Sequence, residues 1–235
     1  MVAVVLGGGT GTRFGAPQPK QLLTLDGKTL VERCVAAFRQ APGINEVLLV
    51  MAPGFVGEAE KLVGGLGGAR GGCAVIEGGT SRADSVRNAL AHLTARYPAE
   101  ETGVLLHDAA RPLVDQRVIA NCVAALREHD AVGTAVPSSD TIVVARDGVM
   151  SRVLPRETLL RCQTPQCFRL SVINAAHDLA AKDPAFVPTD DCGVVLRYLP
   201  DVPVHVVSGS ERNIKVTYPG DLAIAEVLLR AQTLP

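Results

Sequence analysis

The chain has 235 residues, of which 47% are hydrophobic and 20% charged, and its formal net charge is -1. That length supports one sizeable core, and no Pro/Ser-rich linker, charge block or internal repeat divides it, so a single domain over residues 1–235 is expected. The near-neutral charge, the absence of Trp and the 3% aromatic content exclude broad nucleic-acid binding, which needs clustered cations for phosphates and aromatic platforms for bases.

The apolar run Val2–Leu6 reads as a strand. It stops at Gly7 without a basic flank, too short for a membrane span and wrong for a signal peptide, so a cytoplasmic protein without membrane contact is expected. Beyond it, β-prone runs alternate with segments of helical period. Helices are predicted over Thr29–Gln40, Val56–Leu66, Ser81–Arg96, Gln116–Glu128, Ser171–Ala181, Asp190–Tyr198 and Pro219–Ala231. Strands are predicted over Glu46–Ala52, Ala74–Glu77, Val104–His107, Ala131–Ala135 and Val204–Val207. This alternation predicts an α/β fold, a Rossmann-like, mostly parallel sheet flanked by helices.

Local signals sharpen three of these elements. Ser81 and Asp84 form a capping-box pattern at the start of the third helix, and Pro219 sits where a missing amide hydrogen costs nothing, ahead of an apolar stripe through Leu222, Ala225 and Leu229. Thr141–Ala145 and Val149–Leu154, joined by Arg146, Asp147 and Gly148, interrupt the alternation as a hairpin. An inserted hairpin suggests an arm at about residues 138–160, which either folds back on its own domain or pairs with a second subunit. The six cysteines form no CxxC pair and read as reduced thiols, most of them packed as small hydrophobes.

After the first strand come Gly7, Gly8, Gly9, Thr10, Gly11, Thr12 and Arg13, then Lys20 beyond two prolines. Glycines let backbone amides approach an anion that a Cβ would hold away, and two cations on the same loop point to a triphosphate. The spacing fits neither a P-loop nor a secure dinucleotide fingerprint. Asp108 follows a buried-looking strand and lies beside this loop, at the carboxyl end where open α/β sheets bind ligands.

GGGTGTRFG with PKQ at Pro19–Gln21, EGGTSRADSV at Glu77–Val86, HDAARP at His107–Pro112, DTI at Asp140–Ile142, QTPQ at Gln163–Gln166, TDD at Thr189–Asp191 and NIKVT at Asn213–Thr217 together resemble, in order, one family. It is the family of cytidylyltransferases that act on 2-C-methyl-D-erythritol 4-phosphate, with close relatives that act on ribitol 5-phosphate. The resemblance implies transfer of CMP from CTP to a polyol phosphate, with Mg²⁺ and a homodimer formed through the arm. It further implies that Gly7, Gly8, Gly9 and Gly11 hold the CTP phosphates, and that Arg13 and Lys20 stabilise the transition state. Gly78, Gly79, Thr80, Ser85 and Ala109 would serve the nucleoside end, and Asp108 would bind the metal and contact substrate. Arg111, Thr141, Arg156, Thr164, Thr189 and Lys215 would bind the acceptor, with Arg156 and Lys215 orienting its phosphate for attack. Ser85 reads equally as a packing residue. His107 invites assignment as a base, yet a phosphate nucleophile needs none, so it reads as structural.

The opening Leu6-Gly7-Gly8-Gly9 is closer to the ribitol phosphate enzymes, whereas Ala110 within HDAARP leans towards the methylerythritol group. The expected acceptor is therefore methylerythritol phosphate, with ribitol 5-phosphate second. A noncatalytic nucleotide-binding subunit would have shed Arg13, Lys20, Asp108, Arg156 and Lys215, all of which are present. A sugar-1-phosphate nucleotidyltransferase is disfavoured by HDAARP and NIKVT.

Overall fold

The computed structural model describes residues 1–8, 19–66 and 72–231. Among them the elements follow in the order β1 (Val2–Gly7), β2 (Thr24–Leu25), β3 (Lys28–Thr29), α1 (Leu30–Gln40), β4 (Glu46–Met51), α2 (Val56–Gly64), β5 (Cys73–Glu77), α3 (Arg82–Thr94), β6 (Gly103–Asp108) and α4 (Gln116–Glu128). They continue with β7 (Ala131–Pro137), β8 (Val143–Arg146), β9 (Val149–Val153), β10 (Leu160–Arg169), α5 (Leu170–Ala180), α6 (Asp191–Tyr198), β11 (Val204–Ser208) and α7 (Pro219–Arg230). The central sheet has the order β11-β7-β10-β6-β1-β4-β5. All its strands run parallel except β10, which is antiparallel to both β6 and β7.

The strands are near-continuous apolar runs because helices cover both faces, so successive side chains on either side are buried. Ala3, Val5, Leu49 and Leu105 point to the face packed by α1, α2 and α4, with Phe38 and Ile119 between them. Val4, Leu48, Leu106 and Phe168 point to the other face, against Leu90 of α3, Ile173 of α5 and Val195 of α6. Helix α7 closes a third cluster through Ala225 and Leu222 against Leu25, Leu113 and Val216, the stripe its sequence predicts.

The predicted helix starts are present. The Ser81 hydroxyl accepts from Asp84 N–H while the Asp84 carboxylate accepts from Ser81 N–H, and Pro219 is in the first turn of α7. The arm is a two-residue hairpin in which Asp147 (φ 50°) and Gly148 (φ 78°) take the left-handed conformation that such a turn requires. The segment 160–169, in which the sequence pattern predicts no element, is a central strand. Its polar residues and Pro165 hide it, and a register shift between Gln163 and Gln166 absorbs them.

Candidate active site

The parallel strands end on one edge of the sheet. From β1 the chain moves outward through β4 to β5 and then returns to β6 on the other side of β1, so the strand order reverses between β1 and β6, the crevice where such sheets bind ligands. Gly7 and Gly8 stand on one side of this crevice and Asp108 on the other, since Leu6 pairs with Asp108 in the ladder. Ala109 extends the ladder by donating its N–H to Leu6 O at 3.0 Å.

The segment after β5 rests on Ser85. The Ser85 hydroxyl is buried, accepts from Gly79 N–H at 3.1 Å and donates to Ser81 O at 3.0 Å. A Cβ on Gly8 would lie 2.5 Å from this oxygen, so the glycine allows the two loops to touch. Thr80 donates to Asp84 Oδ2 at 2.8 Å and reinforces the helix cap. Gly79 is tighter still: a Cβ there would meet Asp84 Cβ at 2.1 Å and the Asp84 carbonyl carbon at 3.1 Å, neither of which can swing away. Gly79→Ala should therefore displace the turn and lower stability by about 1–3 kcal/mol, read as a lower urea midpoint with an unchanged slope.

Asp108 is the centre of charge. Its Oδ1 accepts from Arg82 Nε at 3.1 Å and its Oδ2 from Lys215 Nζ at 2.7 Å. Burial alone would raise its pKa, but Arg82 and then Lys215 outweigh burial and hold the carboxyl far below the usual carboxylate range. Arg82 also donates from NH2 to Asp191 Oδ2 at 2.7 Å, and Asp191 Oδ1 meets His177 Nε2 at 3.1 Å. The result is a continuous chain, Lys215–Asp108–Arg82–Asp191–His177, running from the crevice to α5. Burial opposes the Arg82 charge, but its two carboxylates outweigh burial and raise its pKa.

The segment 213–217 is stitched against this cluster. Val216 N–H donates to Ala110 O at 2.8 Å, Asn213 Nδ2 donates to Thr164 O at 2.8 Å, and Arg111 NH1 donates to Asn213 O at 2.7 Å. Lys20 Nζ donates to Val216 O at 2.8 Å, which brings a second lysine beside Lys215. His107 is fully buried, with Nε2 against Arg111 O and Nδ1 against Thr164 Oγ1, both at 3.0 Å. Burial lowers its pKa to about 4, so the ring is neutral near pH 7.

Gly7, Gly8, Gly78, Gly79, Thr80, Ser85, Asp108, Ala109, Arg111, Thr164, Lys20 and Lys215 thus gather at one edge of the sheet. Thr141 lies just before β8 and Arg156 just after β9, at the base of the arm; Arg156 NH1 donates to Ser139 O at 3.4 Å. Thr189 is exposed in the segment before α6, next to the Asp190 cap. Gly9, Gly11 and Arg13 lie outside the described residues.

Sequence reasoning did not single out Arg82, Asp191, Gln166 or His177 as functional. Arg82 stands inside EGGTSRADSV and Asp191 inside TDD, so the motifs marked their positions but not their contact across the fold. Gln166, buried within QTPQ, accepts from Asp191 N–H at 2.9 Å and Cys192 N–H at 3.0 Å through Oε1 and donates to Asp190 Oδ2 at 2.8 Å. It fixes the start of α6 and with it Asp191.

The family model for 2-C-methyl-D-erythritol 4-phosphate cytidylyltransferase matches residues 1–231. The chain is 50% identical to the 2-C-methyl-D-erythritol 4-phosphate cytidylyltransferase of Thermobifida fusca, over 98% of this chain and 93% of that one. It is 35% identical to the bifunctional ribulose 5-phosphate reductase/CDP-ribitol pyrophosphorylase of Haemophilus influenzae, covering 99% of this chain but 48% of that protein. The crystal structure of 2-C-methyl-D-erythritol 4-phosphate cytidylyltransferase from Thermus thermophilus superimposes with a TM-score of 0.75 at 31% identity, covering 97% of this chain and 98% of that one. Fold, motif order and identity agree, and the chain belongs to the 2-C-methyl-D-erythritol 4-phosphate cytidylyltransferase family.

Proposed function

We propose that this chain transfers CMP from CTP to 2-C-methyl-D-erythritol 4-phosphate and releases pyrophosphate. The observation that carries this reading is the ionised Asp108 held between Arg82 and Lys215 at the switch point beside Gly7 and Gly8. Identity of 50% to the Thermobifida enzyme over 98% of the chain supports it. In the reaction an oxygen of the acceptor phosphate attacks the α-phosphorus of CTP. The bond from that phosphorus to the bridging oxygen of the β-phosphate breaks, and pyrophosphate leaves with the electron pair.

The acceptor phosphate, with a second pKa of about 6, is already an anion at neutral pH and needs no general base. Neither nitrogen of His107 is turned to such a task, because both are bonded within the protein. The barrier is repulsion between two anions together with charge building on the α-phosphate, so fixed cations are the main requirement. Lys20, Lys215, Arg13 and Arg156 are the cations we assign to it. Gly7, Gly8, Gly9 and Gly11 would hold the triphosphate, and Gly78, Gly79 and Thr80 the nucleoside. Arg111, Thr141 and Thr189 would contact the polyol phosphate.

Among the described residues no three His, Cys, Asp or Glu side chains are grouped to hold a metal ion. The donor set fits Mg²⁺ carried on a triphosphate, which typically takes one or two protein carboxylates and completes its shell with water and phosphate. Asp108 would hold it, with Lys215, whose side chain is 40% exposed, free to turn towards phosphate. The ion would neutralise triphosphate charge.

A second acceptor, ribitol 5-phosphate, is favoured by the Leu6-Gly7-Gly8-Gly9 opening and by the 35% identity to the CDP-ribitol pyrophosphorylase. We rank it second on the difference in identity. We also read the chain as one cytoplasmic domain that dimerises through its arm, where Val149, Met150 and Val153 are exposed at 68%, 73% and 62%. No helix among the described residues is long and apolar enough to cross a membrane.

Purified protein incubated with CTP, Mg²⁺ and each acceptor in turn should release pyrophosphate with methylerythritol phosphate at a kcat/KM about tenfold or more above that with ribitol 5-phosphate. A faster reaction with ribitol 5-phosphate would install the second reading, and no release with either would remove both.

A further inference from the structure

The hydroxyl of Thr164 is already spent. It accepts the Asp108 N–H at 3.1 Å and faces His107 Nδ1 at 3.0 Å, and the residue is only 4% exposed. The direction of these bonds follows from the other end of the ring. Arg111 O can only accept, so His107 Nε2 carries the hydrogen, and in the neutral ring Nδ1 then accepts from the Thr164 hydroxyl. The ring is held in this orientation by Phe38, whose ring packs on it at 5.0 Å and 61°. The sequence resemblance implies that Thr164 binds the acceptor, but a buried hydroxyl whose one hydrogen is committed to a histidine has none to donate to a polyol.

The ladder explains why such a device is needed. The β6–β10 pairing runs from Gly103↔Arg169 to Leu106↔Gln166 and stops, and the same register continued would set Asp108 against Thr164. The Thr164 carbonyl is instead turned to Asn213 Nδ2. The Asp108 amide therefore meets a side-chain hydroxyl where a strand carbonyl would have stood.

We infer that His107 and Thr164 are positioning residues: a histidine-oriented hydroxyl replaces the missing strand acceptor and fixes the backbone of Asp108 and, through Arg111 O, the far end of the same turn. This rests on the reading of Asp108 given under Proposed function. Outer partners of this kind typically contribute about 10- to 100-fold in metal affinity or activity.

Thr164→Val keeps the shape and removes the hydroxyl, while Thr164→Ser restores it. Thr164→Val should lower kcat about 10- to 100-fold and raise the Mg²⁺ concentration for half-maximal rate, with the acceptor KM unchanged. Thr164→Ser should recover both. His107→Asn, which keeps an acceptor near Nδ1, should disturb kcat less than His107→Gln, which does not. A raised acceptor KM with unchanged kcat and Mg²⁺ requirement in Thr164→Val would overturn the inference in favour of direct substrate contact. Two readouts need no turnover: ¹⁵N spectra of labelled histidine should show His107 as the Nε2–H tautomer, and the Asp108 amide should exchange faster in Thr164→Val. An Nδ1–H tautomer, or unchanged exchange, would overturn the inference even in a protein that transfers nothing. A parent enzyme inactive with every acceptor would instead remove the functional reading and leave these two results standing.

Discussion

Asp108→Asn should lower kcat by roughly 10²- to 10³-fold, the scale of losing one preorganised electrostatic contact. Asparagine keeps the size of the side chain and one oxygen, but it carries no charge. Arg82 and Lys215 would then face each other across a neutral amide, at the distances of 3.1 Å and 2.7 Å that now separate them from a carboxylate. Lys215 would lose the anion that orients it, and the Mg²⁺ proposed above would lose the carboxylate assigned to it. The measurements are kcat and the Mg²⁺ dependence of the rate, taken alongside an unfolding curve to establish that the variant still folds. A variant that turns over at the parent rate with the parent Mg²⁺ requirement would reduce Asp108 to an anchor for its two cations.

Asp191→Ala should cost about 3–5 kcal/mol, the range for breaking a buried ion pair on one side. The Asp191 side chain is 1% exposed and bonds Arg82 on one oxygen and His177 on the other. Alanine would leave Arg82 with Asp108 alone and His177 Nε2 with no acceptor. Asp191→Asn should cost less, because an amide oxygen remains for one of the two. Urea midpoints at pH 7 decide between these outcomes, and equal stability of both variants with the parent would show that water replaces the carboxylate without loss.

The same charges set the acid limb of stability. Burial raises the pKa of both Asp108 and Asp191, but Arg82 in each case, with Lys215 or His177, outweighs it and lowers both below the ordinary carboxyl value. Their stabilising contribution is therefore complete above the unfolded carboxyl pKa of about 4 and is lost as pH falls below it through the depressed folded values. His107 acts earlier. Its pKa of about 4, lowered by burial, means that the unfolded chain takes up a proton first as pH falls from about 6.5, with a contribution on the order of 3 kcal/mol fully present only above that pH. The urea midpoint should rise between pH 4 and 6.5 and level off beyond, and Asp191→Asn should flatten the portion below pH 4.

What the sequence determined by itself was whatever neighbours a few residues apart can decide. The Ser81–Asp84 cap closes within one turn, the Asp147–Gly148 turn needs only two left-handed residues, and runs such as Val2–Leu6 are apolar on both sides because both faces of a parallel sheet are covered. The family resemblance likewise implied one site for Asp108, Lys20 and Lys215, and the fold sets them on one edge of the sheet. What only the tertiary structure decided were contacts between distant parts of the chain. Arg82 looks like an ordinary first-turn residue until Asp191, 109 positions later, meets it. Strand β10 has no period of its own because Gln163, Thr164 and Gln166 are satisfied by Ser210, Asp108 and Asp191 rather than by the residues beside them. Burying such polar groups is costly without partners, and whether partners arrive depends on the path of the whole chain, which no local pattern encodes.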